Sequence, residues 1–429
     1  MPAFTRIELS RSALEHNVSE FRRVCRPSAF MAVVKSNAYG HGLPEVVGAL
    51  SGKVDWFGVN SVPEAMGVRE YDPGTAILVM GESTESQLRA VQAINLAMLR
   101  QYERYSERMP ISVFAGPGRT DNLETAPPAR PEERDLGRVP LISVVVSRLE
   151  TVRYIIEECP EVPFHLKVDT GMSRLGLGPL RIGPVLGFLR DHPEARWTGL
   201  MTHFANVEDV TDQSYASRQL EVFDTVRERA FRAAGLDRSL LFHAAASAPA
   251  LIMPEARLDI VRVGISLYGL WPSSQTRLSA NSFYQERGER MPTLEPVLRW
   301  VTKIAHLNPI PAGQDVGYGC THRVQVDTLV AVLPVGYFEG YDRGLSNRSH
   351  VLIRGKQARV LGRVCMNMIM VDVTHIDGVS VGDEAVLIGA DAERPRERVT
   401  AEELADLTGT INYEVTTRIQ KDLRRVVVE

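Results

Sequence analysis

Short apolar runs alternate with longer stretches in which apolar residues recur at helical spacing, such as Ser214–Ala233, from about Ala13 to about Tyr268. The apolar runs predict eight strands: Phe30–Val34, Trp56–Val59, Ala76–Met80, Leu141–Val146, Phe164–Val168, Thr198–Thr202, Leu241–Ala244 and Asp259–Val263. Several are apolar enough to be covered on both faces, as parallel strands are. Strand–helix alternation repeated about eight times favours an α/β fold, a (β/α)8 barrel of the TIM type, with a doubly wound open sheet as the alternative.

The pattern changes after about Trp271, where short strands follow one another through tight turns. The predicted strands are Val301–His306, Leu329–Val335, His350–Ile353, Ala358–Leu361, Ile369–Val373 and Ala385–Ile388. A helix over Thr400–Leu407 opens with the capping-box pattern of Thr400 and Glu403. We therefore predict a barrel domain over residues 1–275 and a mainly β C-terminal domain over residues 276–429, which the alternating residues 4–9 could join.

One stretch fits neither domain. Gly116–Pro140 is rich in Pro, Gly, Arg and Glu and has almost no apolar residues before Leu136. Because such a composition cannot bury a core, we predict a surface insertion at about residues 101–140.

Composition and charge narrow the class of protein. A formal net charge of -4 over 429 residues gives no reason to expect nucleic acid or a membrane surface as a partner. The four cysteines are far apart and show no Cys/His metal spacing, so we expect reduced thiols and no metal. No signal-peptide core and no apolar run of roughly 20 residues is present, which predicts a soluble cytoplasmic protein.

The first candidate for chemistry is Lys35, which ends an apolar run and precedes a small, glycine-rich segment ending at Gly42. A lysine at the carboxyl end of a barrel strand faces the mouth where barrel enzymes place their chemistry. Partial burial there lowers the pKa of an ammonium group and makes the neutral amine available.

Taken whole, Met31–Gly42 closely resembles the pyridoxal-phosphate motif of alanine racemases, and the resemblance extends over nearly the full chain. It implies that Lys35 carries pyridoxal 5'-phosphate as a Schiff base and that Tyr39 helps to hold the phosphate. In His165–Gly176, it places Arg174 at the cofactor's phenolic oxygen and the substrate carboxylate. It also makes Lys167 a candidate for N-carboxylation.

The resemblance assigns the remaining cofactor contacts. It places Arg262 at the pyridine nitrogen and His203 beside the ring, hydrogen-bonded to an arginine. The phosphate cup would consist of Tyr39, Ser247, Gly264, Ile265 and Tyr413. A small hydroxyl and exposed backbone N–H groups at a glycine turn suit a dianion.

The resemblance also gives the C-terminal domain a catalytic part. It makes Tyr318 the second catalytic base, opposite Lys35, acting in the partner subunit of a homodimer with shared active sites. The backbone of Met366 would lie near the substrate carboxylate. The implied activity is interconversion of L- and D-alanine, supplying D-alanine for cell-wall peptidoglycan. Asn367 departs from the family, since many members have aspartate there.

Three other interpretations stay open. One is a racemase of broader or different specificity, such as for serine or lysine. Another is a pyridoxal-phosphate-dependent decarboxylase, which Arg262 disfavours because such enzymes usually pair the ring nitrogen with an acid. The third is a non-catalytic pyridoxal-phosphate-binding protein, which would lack a β domain and counterparts of Tyr318 and Met366.

Overall fold

The computed structural model describes residues 4–106, 141–208, 211–235 and 240–429. The chain begins with strand β1 (Arg6–Ser10) and helix α1 (Arg11–Cys25). The eight strands that follow are β2 (Ala29–Val33), β3 (Trp56–Val59), β4 (Ala76–Val79), β5 (Ile142–Val146), β6 (Phe164–Lys167), β7 (Trp197–Met201), β8 (Leu241–His243) and β9 (Ile260–Val263). The helices in this part of the chain are α2 (Lys35–Tyr39), α3 (Leu43–Leu50), α4 (Val62–Tyr71), α5 (Glu85–Ser106), α6 (Leu149–Glu158), α7 (Ile182–Asp191), α8 (Ser214–Ala234), α9 (Ser247–Ile252) and α10 (Ser274–Glu286).

These eight strands form one parallel sheet in the order β8-β7-β6-β5-β4-β3-β2-β9. Its two edge strands also meet, because Asp259 N donates to Phe242 O at 2.9 Å and Arg262 N donates to Ala245 O at 3.0 Å. The sheet therefore curls into a barrel, and the predicted (β/α)8 architecture is confirmed.

Large apolar side chains fill the barrel below its mouth. Met31, Leu78, Val145, Met201 and Leu241 are buried and form one cluster with Ile260. They alternate along their strands with residues that pack outward against the helices, as the two-residue period of a strand requires. Because this cluster fills the barrel interior, the chemistry is expected at the carboxyl-terminal ends of the strands.

A second sheet contains β1 and the strands of the C-terminal part. These strands are β10 (Leu298–Lys303), β11 (His306–Ile310), β12 (Thr328–Leu333), β13 (His350–Ile353), β14 (Lys356–Leu361), β15 (Ile369–Asp372), β16 (Glu384–Ala390), β17 (Arg398–Val399) and β18 (Arg424–Val428). Their order is β11-β12-β15-β14-β13-β16-β10-β1-β18, with β17 paired to β16. The predicted mainly β C-terminal domain is thus present, although sequence analysis did not predict β11, β17 and β18.

Two helices, α11 (Ala401–Thr408) and α12 (Asn412–Thr417), lie between β17 and β18. The Thr400 side chain caps α11 by accepting a hydrogen bond from Glu403 N at 3.1 Å. The returning half of the predicted capping box is absent, because the Glu403 carboxylate lies 3.5 Å from His350 Nδ1 instead. Within the described part of the chain, no helix has the length and apolar character needed to cross a membrane.

The predicted domain division stays a prediction, and the insertion from residue 107 to residue 140 lies outside the described residues. Residues 101–106 end helix α5. The chain passes from the second sheet into the barrel directly, since Ser10 ends β1 and its side chain caps α1 through Ala13 N at 3.1 Å.

Helix α1 is also tied to the segment that returns to the second sheet. The buried Glu20 carboxylate accepts from Arg290 Nη2 at 2.5 Å, from Thr293 N at 3.0 Å and from Arg23 Nη2 at 3.2 Å. Burial opposes ionisation of Glu20, but hydrogen bonds from Arg23, Arg290 and Thr293 outweigh it and lower its pKa to about 2. Glu20 therefore fastens the barrel's first helix to the approach to β10.

We expect Glu20→Gln to lower the free energy of unfolding by roughly 1–3 kcal/mol near neutral pH, since it removes a charge from several hydrogen bonds. A depressed pKa in the folded state means that this stability is present above the unfolded pKa and is lost as pH falls toward about 2. Thermal denaturation from pH 7 down to pH 3 measures the difference. Glu15→Gln on the same helix, which removes an exposed pair with Lys53, is the control. A wild-type advantage that did not shrink with acidity would contradict this assignment.

Candidate active site

Lys35 lies two residues beyond the end of β2, at the carboxyl-terminal edge of the barrel. Its side chain is half-buried, and its Nζ lies 6.0 Å from the centre of the Tyr39 ring. Burial, followed by the nearby charge of Arg174, lowers its pKa, while Glu64 and Glu208 act in the opposite direction. The shift favours a neutral amine, as a nucleophilic lysine requires.

The backbone after Lys35 forms a left-handed helical turn. Ser36, Asn37, Ala38 and Tyr39 have φ values between +52° and +55°, and Gly40 follows at +85°. Each non-glycine residue in this conformation costs roughly 1–2 kcal/mol. Four in succession persist only where the surrounding structure fixes them.

Side chains that are distant in sequence or tightly packed hold this turn. Glu64 Oε1 accepts from Ser36 N at 2.7 Å. His41 Nδ1 lies 3.1 Å from both Ala38 O and Tyr39 O, and its ring stacks on Tyr268 at 4.2 Å between centroids. Burial lowers the pKa of His41 to about 3, so it is neutral and its Nδ1 proton is available to these carbonyls.

The turn carries Tyr39 toward the end of β9. The Tyr39 hydroxyl lies so close to Gly264 that a side chain at Gly264 would overlap it. Gly264 N donates to Ser247 Oγ at 3.0 Å, and Ile265 begins a short 3-10 helix next to it. Tyr413 completes the group, with its ring 6.1 Å from that of Tyr39 and its hydroxyl donating to Glu208 at 3.1 Å. The five predicted phosphate-binding residues thus lie together.

Arg262 is buried, and its hydrogen-bond partners among the described residues are uncharged. Its Nη2 donates to Thr202 O and Ala244 O, both at 2.9 Å, and lies 3.3 Å from His203 Nδ1. Its Nη1 lies 3.0 Å from His243 Nδ1. Burial lowers its pKa to about 10, so the guanidinium is charged at neutral pH.

The contact with His243 fixes the tautomers of two histidines. A guanidinium only donates, so His243 accepts at Nδ1 and carries its proton on Nε2, which lies 2.8 Å from His165 Nδ1. Burial, and then the charge of Arg262, lowers the pKa of His165 to about 3 and that of His243 well below its ordinary value. Arg262 is therefore buttressed by two neutral imidazoles.

The mouth is strongly cationic. Lys167 is buried at the end of β6, and burial, followed by Arg174 and Arg262, lowers its pKa to about 8. Arg174 is exposed on the loop after β6 and is close enough to act on Lys35 and Lys167. Glu64 and Glu208 act on Lys35 and Asp169 acts on Lys167, but among the described residues no carboxylate forms an ion pair with these cations or with Arg262. Such a site suits a ligand with several negative charges.

His203 lies beside this cationic group, half-buried and next to Arg262. Burial, and then the charges of Arg262 and Arg174, lowers its pKa well below the ordinary value. It is a neutral ring at the edge of the mouth.

The two residues predicted from the C-terminal domain lie elsewhere on the molecule. Tyr318 and Met366 are exposed by 71% and 54%, and within the described part of the chain neither side chain forms a hydrogen bond or ring contact with the residues of the barrel mouth. Tyr318 stands in a tight turn in which Gly317, Gly319 and Cys320 have positive φ values. Apolar side chains around the Met366 segment are also exposed, namely Tyr337, Phe338 and Met368. A single chain therefore does not bring this pair to Lys35.

The segment containing Met366 is clamped by the loop after β12. Phe338 N donates to Met366 O at 2.9 Å and Tyr337 N donates to Cys365 O at 3.1 Å. Glu339 accepts from Asn367 Nδ2 at 2.9 Å and from Gly336 N at 2.8 Å. The asparagine amide thus supplies a donor to a carboxylate, which an aspartate at this position could not do.

Sequence analysis missed several residues that shape the site: His41, Glu64, Glu208, His243 and Tyr268. Glu64 had a recognisable signal, since Ser61 and Glu64 form a capping box at the start of α4. Glu208, His243 and Tyr268 had none, because their contacts cross between elements far apart in the chain. His41 lies inside the lysine motif, but its stacking on Tyr268 joins two distant segments.

Comparison with known proteins gives one consistent family. Residues 9–105 and 127–272 match the family described as alanine racemase, N-terminal domain, and residues 297–427 match alanine racemase, C-terminal domain. The alanine racemase of Leptospira interrogans serovar Lai is 39% identical over 426 residues, which cover 99% of this chain and 95% of that protein. The alanine racemase of Symbiobacterium thermophilum is 34% identical over 422 residues, which cover 97% and 95%.

Solved structures agree. The alanine racemase from D-cycloserine-producing Streptomyces lavendulae superposes with a TM-score of 0.77 at 26% identity and covers 100% of this chain and 98% of that one. The alanine racemase from Bacillus anthracis with bound L-Ala-P gives a TM-score of 0.77 at 27% identity, with coverage of 99% and 95%.

We expect Asn367→Asp to destabilise the protein at neutral pH by roughly 1–3 kcal/mol, because it sets a second carboxylate against Glu339 in place of a hydrogen bond. Repulsion raises the pair's pKa in the folded state, so the loss should be small in acid and grow as pH rises. Thermal denaturation between pH 4.5 and 8 measures it. The double variant Asn367→Asp/Glu339→Gln, which restores one donor and one acceptor, should recover stability. An equal loss at every pH, unrepaired by the second change, would refute the pairing.

Proposed function

Because this chain belongs to the alanine racemase family of isomerases, we propose that it interconverts L- and D-alanine, using pyridoxal 5'-phosphate bound at the barrel mouth. The observation that carries the proposal is the mouth itself. A half-buried lysine of lowered pKa lies near Arg174 and Lys167, and the described partners of a buried arginine there are neutral.

The residues at the mouth fit this cofactor. Its phosphate would lie in the cup of Tyr39, Ser247, Gly264, Ile265 and Tyr413, where a side chain at Gly264 would leave no room. Lys35 Nζ would hold it covalently, and His203 would pack beside its ring. When bound, pyridoxal phosphate supplies an electron sink that acidifies the proton on the substrate's Cα.

Arg262 would determine which reaction follows. A guanidinium donates a hydrogen bond and keeps its proton, so opposite a ring nitrogen it would leave that nitrogen unprotonated. The sink is then weaker than one supported by a carboxylate, which favours prompt return of the proton to Cα over transamination or elimination. The neutral histidines behind Arg262 give it no proton to pass on.

Inversion at Cα needs a proton carrier on each face. Lys35 would serve one face, and burial favours its neutral, proton-accepting form. We propose Tyr318 of the partner subunit for the other face, in a homodimer with shared active sites. The exposure of Tyr318 and Met366 among apolar side chains supports this, since a partner surface would cover them.

Arg174 and the backbone of Met366 would bind the substrate carboxylate. Lys167 would be N-carboxylated, because a pKa of about 8 leaves neutral amine to react with carbon dioxide. The change replaces a cation beside Arg174 by an anion and so relieves repulsion.

D-alanine formed by this reaction would supply peptidoglycan synthesis.

The test of the reaction class is Cα hydrogen exchange in deuterium oxide by the purified, cofactor-loaded protein. We expect deuterium to enter both enantiomers of alanine, with equilibration between them, and little to enter serine or lysine. Faster exchange of serine or lysine would assign a racemase of different specificity. Release of carbon dioxide would indicate a decarboxylase, and cofactor binding without any exchange would refute the proposed activity.

We expect Tyr318→Phe to reduce racemisation in both directions by about 10²–10⁴-fold, the contribution of a positioned acid–base group. Exchange at Cα should survive for one enantiomer only, the one whose proton faces Lys35. Chiral chromatography with mass spectrometry follows both quantities. Tyr71→Phe, at an exposed position at the far end of α4, is the control and should leave them unchanged. Wild-type turnover in Tyr318→Phe would rule out the two-base scheme.

A further inference from the structure

In the left-handed turn after Lys35, the main-chain carbonyl of Gly40 accepts hydrogen bonds from a side chain of the C-terminal strand β18. Glu64 and His41 satisfy groups at Ser36, Ala38 and Tyr39 from within the barrel. The carbonyl of Gly40, where the turn ends, instead accepts from Arg425 Nη2 at 2.7 Å and from Arg425 Nε at 3.1 Å.

The other contacts of Arg425 are also main-chain carbonyls. Its Nη1 donates to Lys421 O at 2.7 Å and to Leu423 O at 2.9 Å, and its Nη2 donates to Gln420 O at 3.2 Å. Glu45 and Asp422 are near enough to act on its charge, but among the described residues neither forms an ion pair with it. The guanidinium thus links the segment before β18 to the loop of Lys35, which needs a planar fork with several fixed donors.

The surroundings of Gly40 and Gly42 leave little freedom for this loop. A side chain at Gly40 would overlap the main chain of Thr416 in α12, and one at Gly42 would overlap the Arg425 side chain and the Glu45 carboxylate. Arg425 itself is fixed in register, because β18 pairs in parallel with β1 and places it opposite Ile7. The C-terminal strand β18 therefore contacts the loop after Lys35 directly, through the Arg425 side chain.

We propose that Arg425 is a positioning residue for Lys35, through which the C-terminal strand fixes the left-handed turn that sets the direction of the lysine side chain. Lys35 and Tyr39 bracket this turn, so relaxation of its far end at Gly40 would move the amine and the cup hydroxyl relative to each other. The activity readouts below rest on the proposed function, whereas the amide-exchange readout does not.

The experiment compares Arg425→Gln and Arg425→Lys with Arg424→Gln in the full-length, cofactor-loaded protein. Arg424 is the preceding residue on the same strand, is exposed, and makes none of these contacts, so it is a matched control. Hydrogen–deuterium exchange of peptides covering residues 36–42 should be at least about tenfold faster in both Arg425 variants and unchanged in the control. Lysine keeps the charge but lacks the fork, so it should not restore protection.

Two further readouts separate positioning from a general loss of stability. kcat should fall by about 10- to 100-fold, as expected for a misplaced reacting group, while KM for alanine changes less. The pH at which the visible absorbance of the bound cofactor changes should also shift, because the environment of the Lys35 nitrogen changes.

Arg425→Lys keeps the proposal testable if Arg425→Gln does not fold. The proposal is overturned if either Arg425 variant loses thermal stability yet keeps wild-type protection at residues 36–42 and a wild-type absorbance titration. It is equally overturned if Arg424→Gln has the same effects. Absence of Cα exchange in the wild-type protein would refute the proposed function and leave the amide-exchange result to decide the role of Arg425.

Discussion

The conformation of the chain between Val34 and Gly42 is the constraint on which the rest of the site depends. An apolar strand must end with its lysine at the mouth, and the chain must then turn back so that Tyr39 reaches Gly264, which directly follows the neighbouring strand β9. A right-handed continuation would carry the tyrosine elsewhere, so four non-glycine residues adopt left-handed dihedrals. Contacts from α4, from His41 and from the C-terminal strand compensate for this strain.

Electrostatics at the mouth follow from the same packing. Lys35, Lys167, Arg174 and Arg262 lie near one another without an ion-paired carboxylate among the described residues. Burial, followed by the charge of Arg174, lowers the pKa of both lysines. In isolation this arrangement is unfavourable, because like charges in a partly dry site repel. The proposed phosphorylated cofactor and a carboxylate substrate would offset that repulsion. The neutral His243–His165 pair adds no further charge behind Arg262.

The barrel and the second sheet carry different parts of the proposed active site. The barrel gathers the residues proposed to hold the cofactor, whereas Tyr318 and Met366 stand exposed on the second sheet's side of the molecule. The second sheet nevertheless acts on the barrel within one chain, through Tyr413 beside Tyr39 and Arg425 at Gly40. The C-terminal part therefore contacts the lysine loop of its own chain, and in the proposed homodimer it would also offer Tyr318 to the partner's active site.

The sequence by itself determined the strands and the place of the lysine. Burial on both faces imposes apolar runs on parallel strands, so all eight barrel strands were predicted within a residue of their observed ends, and Lys35 followed directly from the end of the first. The family motifs also named the residues now gathered at the mouth. Only the tertiary structure decided the left-handed turn, the tautomers of His243 and His165, the pairing of Asn367 with Glu339 and the reach of Arg425 to Gly40. The physical reason is the separation of the interacting groups along the chain. Periodicity shows which face of an element is buried. These hydrogen bonds, in contrast, join groups that meet only when the barrel closes and β18 pairs with β1.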